Sequence, residues 1–141
     1  MPPNDLKYVI ISPVRDEEAN LARTIESMLR QTVQPRDWVI VNDGSTDGNA
    51  EIADTYARQH DWIRVFHREN RGFRKAGGGV VDAFNDGYRI LRSNDWDFIV
   101  KLDGDLSFSP EYFESCFRAF EQEAWGACGF MISFKVVPGH T

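Results

Sequence analysis

Short apolar runs alternate with segments of helical periodicity along the whole chain, and that alternation constrains the fold more than any other feature. Residues 8–11, 38–41, 63–66, 97–102 and 127–137 read as strands, the third of them alternating as if one side were wetter. Between the first two, Leu21, Ile25, Met28 and Leu29 recur at helical spacing, which places the acidic Asp16, Glu17 and Glu18 in a first helical turn. A second helix is expected over roughly 48–59. Val80, Val81, Phe84, Tyr88 and Leu91 share one face of a third, and Pro110 opens a fourth that carries Phe113, Phe117 and Phe120. Strands separated by helices of this length imply βαβ units and a parallel sheet covered on both faces. In such sheets ligands bind beyond the carboxyl ends of the strands. The polar clusters after the first, second and fourth strands therefore attract attention first.

The length of 141 residues suits one α/β domain, without internal repeat or linker. A net charge of −6 argues against nucleic acid as a partner, so a basic cluster within the chain needs a local cause. The start Met-Pro-Pro-Asn-Asp lacks the features of a signal peptide, and no apolar run approaches the ~20 residues that span a bilayer. A cytoplasmic location is the expectation, with membrane association left to a longer parent chain. Cys116 and Cys128 read as reduced, partly buried thiols, and with three scattered histidines they make no zinc site. Trp62, Trp96 and Trp125 read as core or rim packing.

Asp103-Gly104-Asp105 is the strongest chemical candidate. Two carboxylates one residue apart at a strand end can face one hard cation and leave coordination sites for phosphate oxygens. Thirteen aspartates in the chain supply about one Asp-x-Asp by chance, and Asp95-Trp96-Asp97 is a second. That one precedes its strand, on the side where ligands do not usually bind, and reads as a solvated loop. Position decides between the two.

In Asn42-Asp43-Gly44-Ser45-Thr46-Asp47, helix capping accounts for Ser45, Thr46 and Asp47 as well as ligand binding does. Asp43 sits earlier, at the strand tip, where its carboxylate can accept a hydrogen bond from uracil N3–H or guanine N1–H. Arg68, Arg71, Arg74 and Lys75, interrupted by Gly72 and followed by Gly77, Gly78 and Gly79, form the one basic cluster. A solvated loop and a diphosphate-neutralising loop are both open for it. Neither a Walker motif nor GxGxxG is present.

Taken in order, Ile10 to Glu18, Val41 to Asp47, Asn70-Arg71-Gly72 with Lys75-Ala76-Gly77, and Leu102 to Asp105 resemble family 2 glycosyltransferases. The resemblance spans about residues 8–115. It implies a nucleotide-diphospho-sugar transferase-like, Rossmann-type three-layer α/β fold with a mainly parallel sheet, here incomplete at the C-terminus. It implies transfer from a UDP- or GDP-linked sugar, with inversion at the anomeric carbon. Pro13, Arg15 and Glu17 would surround the nucleoside, Asp43 the base, and Arg71 and Lys75 the base or diphosphate. Asp103 would lie near the ribose or a divalent metal (Mn or Mg), and Asp105 would be the direct metal ligand.

The family's catalytic base comes from a later segment, and no residue here matches it. The resemblance therefore places that base C-terminal to Thr141, and the chain reads as the N-terminal portion of a longer enzyme whose acceptor is unknown. A nucleotidyltransferase and a non-catalytic nucleotide-sugar-binding fragment are the rival readings. The acidic stretch after the first strand, where nucleotidyltransferases carry a Gly-rich basic signature, disfavours the former. The strand at 127–137, with Phe130, Ile132 and Phe134, is expected to lack a cover and to pair two copies into a homodimer.

Overall fold

The computed structural model describes residues 7–68, 78–92, 96–121 and 132–136. Five strands, β1 (Tyr8–Val14), β2 (Asp37–Asp43), β3 (Ile63–Arg68), β4 (Phe98–Leu102) and β5 (Ile132–Val136), form one sheet in the order β3-β2-β1-β4-β5. The helices α1 (Leu21–Leu29), α2 (Asn49–Gln59), α3 (Gly78–Arg89) and α4 (Tyr112–Glu121) fill the connections. β1 to β4 are parallel, and β5 returns antiparallel along β4. Of the expected fifth strand, residues 127–131 and 137 lie outside the described residues, as do Trp125 and the end of the chain.

Period-two alternation along the strands builds two cores. Tyr8, Ile10, Trp38, Ile40, Phe98, Val100 and Leu102 join Leu21, Ile25 and Met28 of α1, Ala53 of α2, and Phe113 and Phe117 of α4 on one face. Val9, Ile11, Val39, Val41 and Ile99 meet Ala83 of α3 and Trp96 on the other. This is a three-layer arrangement, and its asymmetry follows from the winding. The chain runs outward from β1 to β3 over one face, then crosses back over the other through α3 to start β4 beside β1. The direction of winding thus reverses between β1 and β4, and in sheets of this kind ligands bind at the carboxyl ends of the strands beside such a reversal.

Buried polar groups are paired where elements meet. The Trp38 indole donates to Ser12 Oγ at 2.9 Å, and the Tyr8 hydroxyl to the Val33 carbonyl. Gln31 donates to the Ser109 carbonyl at 2.6 Å and accepts from the Phe113 N–H at 3.1 Å, which satisfies a donor in the first turn of α4. Pro110 lies in the turn before that helix rather than within it. Trp62 stacks on Trp38 and Trp96 is buried, in keeping with packing roles. No helix among the described residues is long and apolar enough to cross a membrane.

Two expectations are corrected. The large residues Val81 and Tyr88 of α3 are exposed, while its small residues Ala83 and Gly87 face the sheet. A Cβ on Gly87 would lie 2.7 Å from Ile11 Cγ2 and 2.9 Å from Val41 Cγ2, so this helix seats itself through its smallest side chain. Phe84 and Leu91 of the expected face do pack, partly buried, against this core, so the expectation fails at Val81 and Tyr88 and holds at the other two. Cys116, buried on α4, is disulfide-bonded rather than a free thiol. Sequence spacing does not say which cysteines come within the roughly 5.5–6 Å between Cα atoms that a disulfide requires. Cys128 lies outside the described residues.

Candidate functional site

The carboxyl ends of β1, β2 and β4 deliver the candidate residues to one side of the sheet. Val14 is in register with Asn42, and Ile11 with Lys101, so the segments after Val14, Asn42 and Leu102 emerge together. Pro13 and Arg15 are half-buried at the tip of β1. Gly104 is buried against this loop. A Cβ there would lie 2.7 Å from Val14 Cγ1 and 3.5 Å from Glu17 Cγ, so the Asp-Gly-Asp turn packs directly on the segment that carries Arg15 and Glu17. The clusters after β1 and β4 are thus in contact.

The acidic stretch after β1 is not the first turn of α1. That helix begins at Leu21 with no acidic residue in its first turn. Asp16 adopts φ 54°, a conformation that aspartate tolerates better than most residues, and turns toward the loop after β2. Its Oδ1 accepts the Thr46 N–H at 2.7 Å, and its own N–H donates to Ser45 Oγ at 3.0 Å. The Glu18 N–H donates to Asp47 Oδ2, also at 3.0 Å. Three hydrogen bonds therefore stitch the β1 and β2 loops together. The Thr46 N–H, bonded directly to Asp16, is the main cause holding that carboxyl below its ordinary value.

Capping is only part of what the Ser45-Thr46-Asp47 segment does. The position before α2 is Gly48, without a side-chain cap, while Asp47 Oδ1 accepts the Asn49 N–H at 3.0 Å. Gly44 takes φ 68°, a left-handed conformation that costs glycine little and most side chains much. Asn42 Oδ1 accepts the Ser45 N–H at 3.2 Å and closes the turn.

Asp43, the last residue of β2, lies beside Arg68, the last residue of β3. Arg68 Nη1 donates to Asp43 Oδ1 at 2.9 Å. By sequence Arg68 belonged with the basic loop, but the structure engages it with carboxylates. Asp103 Oδ1 accepts from Lys101 Nζ at 2.8 Å. Asp105 is exposed and has no hydrogen bond or ion pair among the described residues. The Glu17 carboxylate accepts from Asn20 Nδ2 at 3.4 Å. Arg71, Lys75 and Asp95 lie outside the described residues.

Among the described residues no group of three or more His, Cys, Asp or Glu gathers to hold a metal. Two exposed carboxylates on one turn still fit a hard cation whose remaining ligands are phosphate oxygens and water. Of the two, Asp105 is the one without a competing cation.

The model of glycosyl transferase family 2 matches residues 9–141. The chain belongs to that family. The uncharacterized glycosyltransferase EpsJ of Bacillus subtilis is 34% identical over 123 residues, covering 86% of this chain and 33% of EpsJ. Among solved structures, Staphylococcus aureus TarS in complex with UDP superposes with a TM-score of 0.64 at 19% identity, over 84% of this chain and 33% of that one. The mannosyltransferase PcManGT of Pyrobaculum calidifontis, in complex with GDP-Man and Mn²⁺, gives 0.63 at 19% identity, over 82% and 33%. At such identities these structures establish the shared fold. The chain spans about a third of the length of the curated relatives it matches.

The loop stitching by Asp16 and the engagement of Arg68 were not foreseen. Both involve residues far apart in sequence that meet only because parallel strands end together. The one available signal was that Asp43 and Arg68 each follow an apolar strand-like run, 38–41 and 63–66, by a single intervening residue.

Proposed function

We propose that this chain binds a nucleoside-diphosphate sugar at the carboxyl end of its sheet, and that the enzyme it forms transfers the sugar to an acceptor with inversion. The carrying observation is the contact between the Asp-Gly-Asp turn and the β1 loop at the β1/β4 reversal, with Asp105 exposed at its edge and unpaired among the described residues. Family membership and the nucleotide complexes of TarS and PcManGT support it.

In this reading Pro13, Arg15 and Glu17 line the nucleoside, and Asp43 accepts the ring N–H of uracil or guanine. Arg71 and Lys75 offset diphosphate charge, and Asp103, paired with Lys101, sits toward the ribose. A divalent cation held by Asp105, with Asp103 beside it, would stabilise negative charge on the departing nucleoside diphosphate. Inversion requires one displacement, in which the acceptor oxygen bonds to the anomeric carbon as the bond to phosphate breaks. The proton of the acceptor hydroxyl passes to a base that none of the matched motifs supplies.

Calorimetry of UDP and GDP with and without Mn²⁺ tests the reading. Asp105→Ala is expected to remove the metal-dependent part of binding, while Asp95→Ala retains it. Equal titrations of the two variants would refute the choice of Asp105.

A further inference from the structure

Among the described residues, Arg68 is a strand-tip cation with two carboxylates on it. It closes β3 as Asp43 closes β2, and the two are register partners. Its Nη1 donates to Asp43 Oδ1, and its Nε forms an ion pair with Asp86 Oδ2 at 2.9 Å. Asp86 in turn accepts from Arg89 through its other oxygen at 2.8 Å. The three central side chains are largely withdrawn from solvent: Arg68 is 12% exposed, Asp43 17% and Asp86 24%.

We propose that Arg68 is a positioning residue for nucleobase selection: it holds Asp43 Oδ1, is itself held by Asp86, and thereby presents Asp43 Oδ2 to the base. This rests on the reading of Asp43 as the base contact. The torsion that turns a carboxylate about its own axis is broad, so an unrestrained aspartate at a strand tip does not keep one oxygen aimed outward. A guanidinium is flat and rigid, and contacts through Nε and Nη1 fix both its position and its plane.

Asp86 is a firm anchor because its neighbour Gly87 seats α3 on Ile11 and Val41, the latter in β2 itself. Asp43 Oδ2 accepts no hydrogen bond among the described residues. A fixed, open acceptor there suits uracil N3–H and guanine N1–H. At the matching ring position cytosine and adenine present a lone pair, which the carboxylate repels.

The test compares binding of UDP with CDP, and of GDP with ADP, alongside pyrophosphate, all with Mn²⁺. For whichever of UDP and GDP binds, Arg68→Gln is expected to cut the preference over its partner about tenfold and leave pyrophosphate unchanged. Asp86→Asn should move the preference in the same direction by less. Arg68→Lys keeps the charge but cannot span both carboxylates, and should restore only part of it. Adding Arg68→Gln to Asp43→Ala should produce no further loss, because the effect passes through Asp43.

If Asp43→Ala reduces the preference while Arg68→Gln and Asp86→Asn do not, positioning by Arg68 is overturned and base reading by Asp43 survives. If Asp43→Ala leaves the preference intact, both fail. A loss of pyrophosphate binding in Arg68→Gln equal to that of the nucleotide would make Arg68 a phosphate contact and refute the proposal.

Discussion

Gly104→Ala tests whether the turn between Asp103 and Asp105 is built by its contact with the β1 loop. The added methyl would meet Val14 Cγ1 at 2.7 Å, while Glu17 Cγ at 3.5 Å and Leu21 Cδ1 at 3.6 Å are ordinary neighbours. Carbon pairs prefer about 3.5–4.0 Å, so one contact must open by roughly 0.8 Å or more. Val14 is 3% exposed and β-branched, so it has little freedom to turn away. Overpacking by one methyl costs about 1–3 kcal/mol. The Gly104 backbone is not left-handed, so alanine also lowers unfolded-state entropy and returns about 0.4–1 kcal/mol. The net expectation is a destabilisation of about 1–2 kcal/mol, or a melting temperature lower by roughly 3–6 °C for a domain this size.

Thermal and urea unfolding read that loss, and a nucleotide titration with Mn²⁺ reads its local consequence. If the methyl pushes the turn off the β1 loop, metal-dependent binding should weaken along with stability. Val14→Ala removes the obstructing carbon. Combined with Gly104→Ala it should be less destabilised than the sum of the single variants by about 1 kcal/mol. A Gly104→Ala chain as stable as the parent, with strictly additive behaviour in the double variant, would refute the packing argument.

Gly87→Ala should lower stability in the same assays by about 1–2 kcal/mol, since contacts of 2.7 and 2.9 Å outweigh the gain of about 0.8–1 kcal/mol from helix propensity; a net stabilisation would show that α3 does not rest on that contact. The Asp16 carboxyl should titrate below 3.8 when followed by NMR. Because its folded value is depressed, its contribution to the loop tie is complete above 3.8 and is lost as pH falls through the lower value, and a midpoint at or above 3.8 would remove the tie. The outer side of β5 ends the sheet order, so we propose that it pairs with a second copy; light scattering should show mass rising with concentration, and a monomer at every concentration would end that idea.

The strands were legible because β1, β2 and β4 are buried on both faces and read as unbroken apolar runs, whereas β3, at the sheet edge, shows the mixed exposure its weaker pattern suggested. The position of Asp43 and Asp103 at strand ends was legible for the same reason. What escaped depends on tertiary approach. Phe84 and Leu91 pack on the sheet as expected, but Ala83 and Gly87 take the closest positions and leave Val81 and Tyr88 exposed. The bonding of Cys116 and the antiparallel return of β5 likewise depend on where α4 sends the chain, which local pattern does not encode.

The same distinction divides the motifs that carry the family resemblance. In the segment from Asn42 to Asp47, Asp43 keeps one carboxylate oxygen open, whereas Ser45, Thr46 and Asp47 spend side-chain or backbone groups on the β1 loop. In the Asp-Gly-Asp turn, Asp105 is open, Asp103 is shared with Lys101, and Gly104 exists for its contact with Val14. Each motif therefore mixes a residue that keeps a carboxylate oxygen open with residues that fix one loop against its neighbour. Substituting the second kind should act through geometry, changing nucleotide affinity and stability together. Substituting Asp105, which is exposed, should change binding with little effect on unfolding, whereas Asp43 also anchors Arg68 and should affect both. Measuring both quantities on one set of variants separates the two roles that a motif alone leaves merged.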